Sequence, residues 1–341
     1  MTPLAALLKD RIAREGPITV AQYMEAALSH PEHGYYMTRD PFGAAGDFVT
    51  APEVSQLFGE MLGAWLAVRW HAMGAPSGVA LLELGPGRGT LMADILRATK
   101  RVAGFHDALR VFMLEISPVL KAAQRRALRE AHPRIQWIGT LEALPHAPVL
   151  AVANEFFDAL PVRQFVRQNA GWQERRVGIG KNGFVVLPPP QPADEVKESH
   201  DAAAAVMRGL ARRIVRAGGA ALIVDYGECG GHTLQAVKRH AHADALAAPG
   251  EADITAQVDF QALAEAARGE GAAVFGPVTQ GAFLRRLGIE LRAAALCRNV
   301  DMAAKHRILS GLERLVSPAQ MGELFQVMAV TSMEPRMPEG F

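Results

Sequence analysis

The sequence predicts an α/β fold in which a mostly parallel sheet carries helices on both faces. Three observations lead there. Short apolar runs at 79–84, 110–114, 135–138 and 149–153 alternate with helix-patterned stretches, and that rhythm requires crossover connections, hence parallel strands. The first run ends in a glycine-rich turn, ELGPGRG (83–89), that opens directly into a helix. The second ends in a carboxylate, Glu115, at the edge where open α/β sheets hold their ligands.

The elements follow in order. Residues 2–30 read as two amphipathic helices. Leu4, Leu7, Leu8 and Ile12 have helical spacing, Gly16-Pro17 breaks the pattern, and Thr19 caps a second helix carrying Tyr23, Met24 and Leu28. Residues 31–52 form a long loop rich in glycine, proline and aromatics, a length that marks a functional segment. Helix resumes at 53–73, with Leu57, Phe58, Met61, Leu62, Trp65 and Leu66 on one broad face. Within the alternating region, a helix spans 90–97, and Ser117 caps another that runs to about residue 130.

Past the fourth strand stands NEFFDALP (154–161). An antiparallel meander is expected next, with strands at 162–166, 172–177 and 184–187 and turns at Asn169-Ala170-Gly171 and Lys181-Asn182-Gly183. A Pro-rich connector leads to a helix (199–217) and a strand (220–225). Residues 226–257 read as irregular, 259–268 as helix, 272–275 as strand, 282–323 as helical and 325–331 as the last strand. The expected organisation is an N-terminal helical region with a lid (1–75). A sheet domain (76–341) follows, carrying insertions at about 160–198 (β meander) and 280–323 (helical).

Composition excludes several classes. Half of the 341 residues are hydrophobic and 21% are charged, which rules out disorder over most of the length. Lys plus Arg (36) against Asp plus Glu (35) leaves +1, no footprint for indiscriminate nucleic-acid binding. Cys229 and Cys297 are too far apart in sequence for a disulfide framework or a Cys-based zinc site. His232, His240 and His242 lack a third constrained ligand, so no metal is expected. The Arg212, Arg213, Arg216 run reads as a solvated helix face. No apolar stretch approaches the ~20 residues of a membrane span. The apolar start stops at Lys9, and Asp10 and Glu15 argue against a transit peptide, so a cytoplasmic location is expected. The oligomeric state stays open.

The glycine loop is the sharpest motif. Gly85, Gly87 and Gly89 let the backbone turn tightly and approach a ligand. The third glycine of a dinucleotide fingerprint would fall on Thr90 or Met92, which disfavours NAD and FAD. GxGxG with an acid two residues before it is instead the pattern of class I methyltransferases, which bind S-adenosyl-L-methionine (AdoMet). Glu83 is placed to balance charge near the amino-acid end, and Glu115 to accept from the ribose hydroxyls. The competing reading, a plain turn beside a solvated carboxylate, explains the glycines but not the strand context with both acids.

GDFVTAPEVSQLFGEMLGAWL (46–66), ELGPGRGTLMADILR (83–97), EISP (115–118), NEFFDALPVRQF (154–165), PGEADITAQVDF (249–260) and GPVTQGAFLRRLGI (276–289) resemble the MidA family of class I AdoMet-dependent methyltransferases. That family includes the mitochondrial complex I assembly arginine methyltransferases. The resemblance covers nearly the whole chain. It implies a Rossmann-like class I methyltransferase fold: a seven-stranded, mostly parallel sheet, its last strand antiparallel, with an inserted substrate-binding region. It also implies protein-arginine methylation, a respiratory complex I subunit being the family's known target. One departure is visible: the family's TAHVDF reads TAQVDF here, with Gln257 for histidine.

These readings select the candidate residues. Glu155 and Asp158 are the catalytic candidates, because carboxylates accept the paired N–H groups of a guanidinium and offset its charge. Glu83, Gly85, Gly87, Gly89, Thr90, Glu115, Ile116 and Asn154 are assigned to the cofactor, with Asp47 and Thr50 closing over it beside Phe48. Tyr35 or Tyr36, Phe157, Asp253 and Gln257 are assigned to the substrate, Phe156 and Phe157 walling the pocket. Asp259 is more simply a helix N-cap. Two other classes compete: a non-catalytic AdoMet-binding assembly factor, and a methyltransferase acting on a small molecule or RNA. The Asn-Pro-Pro-Tyr type motif of many nucleic-acid methyltransferases is absent where NEFF stands.

Overall fold

Seven strands build the central sheet of the computed structural model, which describes residues 2–43, 46–168, 171–191, 194–227, 233–332 and 337–341. They are β1 (Val79–Leu84), β2 (Leu109–Leu114), β3 (Ile135–Ile138), β4 (Val149–Asn154), β5 (Gly219–Tyr226), β6 (Ala273–Thr279) and β7 (Phe325–Thr331). Their order is β6-β7-β5-β4-β1-β2-β3. The strands from β3 across to β5 pair in parallel, and β7 runs antiparallel between β5 and β6. Chain order reverses between β1 and β4. That is the switch point outside whose carboxyl ends open sheets bind ligands.

Both inner strands are buried throughout, as a sheet covered on two faces demands. Alternate residues serve opposite layers. Val79 and Leu81 join Leu150 and Val152 beneath α3 (Gln56–Ala72) and α4 (Thr90–Thr99). Ala80, Leu82 and Leu84 join Ala151 and Ala153 against α6 (Asp201–Ala217) and α7 (Phe260–Gly269). The expected α3 face is buried in full, from Leu57 to Leu66. Ser117 caps α5 (Pro118–Ala127) by accepting the Leu120 N–H at 3.1 Å, and Asp259 caps α7 through Ala262 at 2.9 Å.

The insertions differ from the expected pattern. One strand was expected at 172–177; there are two, Gly171–Glu174 and Arg176–Gly180. Between them the Arg175 side chain turns inward and bonds Asp194 at 2.7 Å. A buried guanidinium must be paired, and meeting that need breaks the alternation. The expected meander is therefore two three-stranded sheets. Arg163–Gln168 pairs with Gly171–Glu174 and Val196–Ser199, whereas Arg176–Gly180 pairs with Gly183–Leu187 and Ile18–Thr19. The region read as irregular, 226–257, holds a third antiparallel sheet of Gln235–Lys238, Ala241–Ala243 and Asp253–Thr255. Asn169, Ala170, Cys229 and His232 lie outside the described residues.

The N-terminal helices α1 (Pro3–Glu15) and α2 (Val20–Ser29) pack on these insertions. Leu4, Leu8, Tyr23 and Met24 share a third core with Val162, Val177 and Ile254. Among the described residues no helix is long and apolar enough to cross a membrane, and no cluster of residues could hold a metal ion.

Candidate active site

The site grows from the carboxyl end of β1. Gly85, Gly87 and Gly89 take φ of +61°, +52° and +85°, a region that penalises any Cβ. Space demands glycine as well. A Cβ on Gly85 would stand 2.8 Å from the Phe156 ring, and one on Gly87 3.1 Å from Phe42. Above this loop lies a cavity of about 350 Å³. Gly85, Gly87, Glu115 and Ile116 line it together with Tyr36, Glu155, Asp158 and Asp253. A smaller cavity of about 30 Å³, lined by Thr50, Glu53, Glu83, Thr90 and Asn154, adjoins it, and Glu155 borders both.

Glu115 is fixed by its own neighbourhood. One oxygen accepts the Ile116 and Ser117 N–H groups, each at 2.8 Å, and the other accepts Gln124 Nε2 at 3.0 Å. Burial raises its pKa, against those bonds. The same Gln124 amide donates to the Gly87 carbonyl at 2.8 Å, and its oxygen accepts Trp137 Nε1 at 2.8 Å. Gln124 thus ties the glycine loop to Glu115. It sits mid-helix in a polar stretch of α5, where sequence pattern offers no signal.

Glu83 is 3% exposed. Burial pushes its pKa well above the usual carboxylate range, opposed by the Met92 N–H. Its Oε2 and the Oδ1 of buried Asn154 have no hydrogen-bond partner among the described residues. Such acceptors are costly unless a donor arrives.

The acidic cluster is built on the turn after β4. Glu155 continues the ladder, its N–H donating to the Val224 carbonyl at 2.9 Å, but adopts φ +50°. Its Oε1 accepts the Ala51 N–H at 3.3 Å and Asn154 Nδ2 at 3.0 Å. Asp225, wholly buried at the end of β5, holds the turn. Its Oδ2 accepts the N–H groups of Phe156, Phe157 and Asp158 at 3.2, 2.9 and 3.4 Å. Sequence reading missed Asp225. The signal was present as a carboxylate near the carboxyl end of an apolar strand, much as Glu115 follows β2.

Asp253 accepts the Tyr36 hydroxyl at 2.8 Å, and the Tyr226 hydroxyl donates to Thr255 Oγ1 at 2.6 Å. Burial is the first cause of raised pKa values across this cluster. Glu155 is pushed up to about 8, with repulsion from Asp225 adding to it. Asp225 and Asp253 each rise to about 7. Asp158 lies well above its ordinary value, with Asp225, Asp253 and Glu155 all repelling its charge. Among the described residues no lysine, arginine or histidine lines the larger cavity.

Several candidates move. Tyr35 does not face the cavity: it is buried and donates to Asp47 at 2.6 Å, while its neighbour Tyr36 lines the wall. A helical turn at Tyr35–Thr38 points consecutive tyrosines in different directions. Phe157 is core, 1% exposed, and Phe156 is the lining residue. Asp47 borders neither cavity; it braces the loop through Tyr35 and the Arg239 N–H. Gln257 lies off both walls, its backbone N–H bonding Thr233 at 2.9 Å. Gly89 also lies off both walls and starts α4. Phe42, which sequence reading passed over, borders both cavities.

A glycine cradle at the switch point of this sheet, with a fixed acid at the tip of β2, defines an AdoMet-binding α/β methyltransferase. Residues 61–278 match the family of S-adenosyl-L-methionine-dependent methyltransferases, and the chain belongs to that family. It is 38% identical over 361 residues to the mitochondrial protein arginine methyltransferase NDUFAF7 of Danio rerio, covering 95% of this chain and 85% of that one. The Homo sapiens protein of the same name is 36% identical over 369 residues, with 97% and 83% covered. A Burkholderia thailandensis protein crystallised with S-adenosyl-homocysteine superposes with TM-score 0.85 at 33% identity, covering 99% of this chain and 93% of that one.

The resemblance to the MidA family therefore stands, as do the fold and the AdoMet cofactor. The expected cytoplasmic location does not. Similar relatives are named as mitochondrial proteins. Compartment is set by receptor-read addresses, separate from the fold, and a few acidic residues near Met1 do not decide it.

Proposed function

We propose that this methyltransferase acts on an arginine guanidinium of a protein substrate. The observation that carries the reading is a group of four buried carboxylates, Glu155, Asp158 and Asp253 on the cavity wall and Asp225 beside them, with no basic residue among the described residues of that wall. Like charges packed without a counter-ion resist ionisation together. A guanidinium supplies the missing cation, and its planar fork of donors matches carboxylates in pairs. The names of the relatives support the same acceptor. A respiratory complex I subunit, the target implied by the family resemblance, is the first protein to test.

The chain's residues fit AdoMet. The unpartnered acceptors of Glu83 and Asn154 suit an ammonium group, with Thr50 and Thr90 beside them in the smaller cavity. Glu115 would hold the ribose, and Ile116 and Leu120 offer an apolar wall to a base. When bound, AdoMet supplies a methyl group made electrophilic by its sulfonium. Glu155, on the border of both cavities, and Asp158 orient the acceptor nitrogen toward that side. As the nitrogen gains its methyl group it gives up a proton, which Glu155 accepts at Oε2, the oxygen with no protein donor among the described residues. In the ligand-free protein, burial and Asp225 raise the Glu155 pKa to about 8; the bound guanidinium supplies the opposite charge that lets it ionise, and in that form it serves as the base. The loop at 31–52 acts as the lid. Tyr36, Phe42 and Phe48 line the cavity from it, and Asp40 anchors it to the glycine loop through Arg88 at 2.8 Å.

The test is methyl transfer from labelled AdoMet to an arginine-bearing protein, with the modified residue located by mass spectrometry. Methylarginine is expected with the wild type. Glu155→Gln should keep AdoMet affinity and lose transfer, because the amide turns a donor toward the guanidinium donors. Label on any other residue type overturns the arginine reading.

A further inference from the structure

We infer that Asp225 is the positioning residue of the acceptor site: its carboxylate folds the turn that presents Glu155 and Asp158 to the cavity, and its charge stands directly behind them. The inference rests on Glu155 as the acceptor-binding acid and adds a residue that touches neither substrate nor cofactor.

The geometry is specific. Three consecutive N–H groups, from Phe156, Phe157 and Asp158, converge on Oδ2 of Asp225, and the Tyr226 N–H bonds Oδ1 at 3.0 Å. Every bond is to backbone, so this carboxylate shapes a chain path and not a side-chain rotamer. The path needs such a hold. Glu155 sits at φ +50°, a conformation that non-glycine residues keep only where the surroundings enforce it. The turn begins as Glu155 leaves the β4–β5 ladder at the Val224 carbonyl, one residue before Asp225. One strand end thus supplies the last ladder acceptor and the turn's anchor in succession.

The charge has a second effect. Glu155 is faced by Asp225 from β5, Asp253 from the short strand Asp253–Thr255 and Asp158 from its own turn. Asn154 from β4 and the Ala51 N–H from the helix Ala51–Val54 bond it. On the smaller-cavity side stand Glu53, Glu83 and Arg88, the last paired with Asp40. Asp225 is the strongest of the charged neighbours in raising the Glu155 pKa. It therefore strengthens the hold of Glu155 on the proton it must accept.

Two substitutions separate shape from charge. Asp225→Asn keeps the volume, removes the charge and gives the turn an amide donor. Asp225→Glu keeps the charge and shifts the oxygens by one methylene. Methyl transfer to an arginine peptide is measured across the neutral pH range, with circular dichroism and AdoMet calorimetry on the same preparations. For Asp225→Asn, kcat should fall about 10²-fold, and the acid limb of kcat/KM should move down by about one pH unit or more, with AdoMet affinity unchanged. For Asp225→Glu, kcat should fall while the acid limb stays. A folded Asp225→Asn enzyme with wild-type rate and pH profile overturns the inference. If that variant does not fold, wild-type kcat in Asp225→Glu overturns the positioning role, and a moved acid limb in it overturns the role of charge. Full transfer by Glu155→Gln would instead sink the underlying assignment of Glu155, whatever Asp225 does.

Discussion

At the scale of single residues, the cofactor half of the site was legible because its chemistry is local. A glycine at φ +52° beneath an aromatic ring leaves its mark in the sequence as a glycine. Gly87→Val would force a β-branched side chain into that φ and against Phe42. AdoMet binding should vanish in calorimetry while far-ultraviolet circular dichroism stays native; normal binding would mean the loop is not the cradle. Glu115 is a finer case. It already accepts three protein donors, so it is rigid before any ligand arrives, and removing it strips a charged partner from a ligand hydroxyl. That loss is worth about 1.5–3 kcal/mol, so Glu115→Ala should raise the AdoMet Kd by about tenfold or more. Gln124→Leu should give a smaller rise, since it removes only the brace between Gly87 and Glu115. Equal affinity in all three proteins would assign Glu115 to structure alone. Tyr35 and Phe157 were misplaced because adjacent aromatics give the same sequence signal whichever one turns inward.

At the scale of elements, the central strands and their helices were readable because each buries a face long enough to show its period. The insertions were not. Strands of three or four residues such as Ala241–Ala243 and Asp253–Thr255 are shorter than a period-two pattern needs. The break at Arg175 is invisible until Asp194, from a Pro-rich stretch read as a plain connector, is seen to meet it. That pair is a test of the split. Arg175 is 1% exposed, and removing one partner of a buried ion pair strands the other, at a cost of about 3–5 kcal/mol. Arg175→Ala should lower the unfolding free energy by about that amount in urea titration, and Arg175→Met by less, because methionine refills the space that alanine leaves empty. A loss within experimental scatter for both would mean that the two insertion sheets are held by other contacts.

At the scale of the whole molecule, the acid cluster trades stability for readiness. The site unites residues from the loop before α3, the end of β4, the end of β5 and the insertion strand at 253–255, segments spread over more than 200 positions. No linear motif records their convergence, which is why Asp225 escaped the sequence reading while Glu155 and Asp158 did not. The cost appears as a pH dependence whose sign is fixed. Unfolded aspartate and glutamate titrate near about 4, whereas Glu155 is raised to about 8 and Asp225 and Asp253 to about 7 in the fold. Between those values the native state binds more protons than the unfolded chain, so stability falls as pH rises. The contribution is fully present below about pH 4 and lost as pH passes through 7 to 8. The ligand-free protein should therefore show a Tm that declines from mildly acid to mildly alkaline buffer. Asp253→Asn should flatten part of that slope, because the amide has no proton to lose. An arginine peptide should flatten it too, by supplying the cation that lets the carboxylates ionise, and its binding should release protons, read as a calorimetric heat that varies with the buffer's ionisation enthalpy. A citrulline peptide of the same sequence, neutral where arginine is charged, should release none. A Tm that rises with pH over this window, or identical heats for the two peptides, would show that the cluster is ionised without its guest and balanced by something other than a guanidinium.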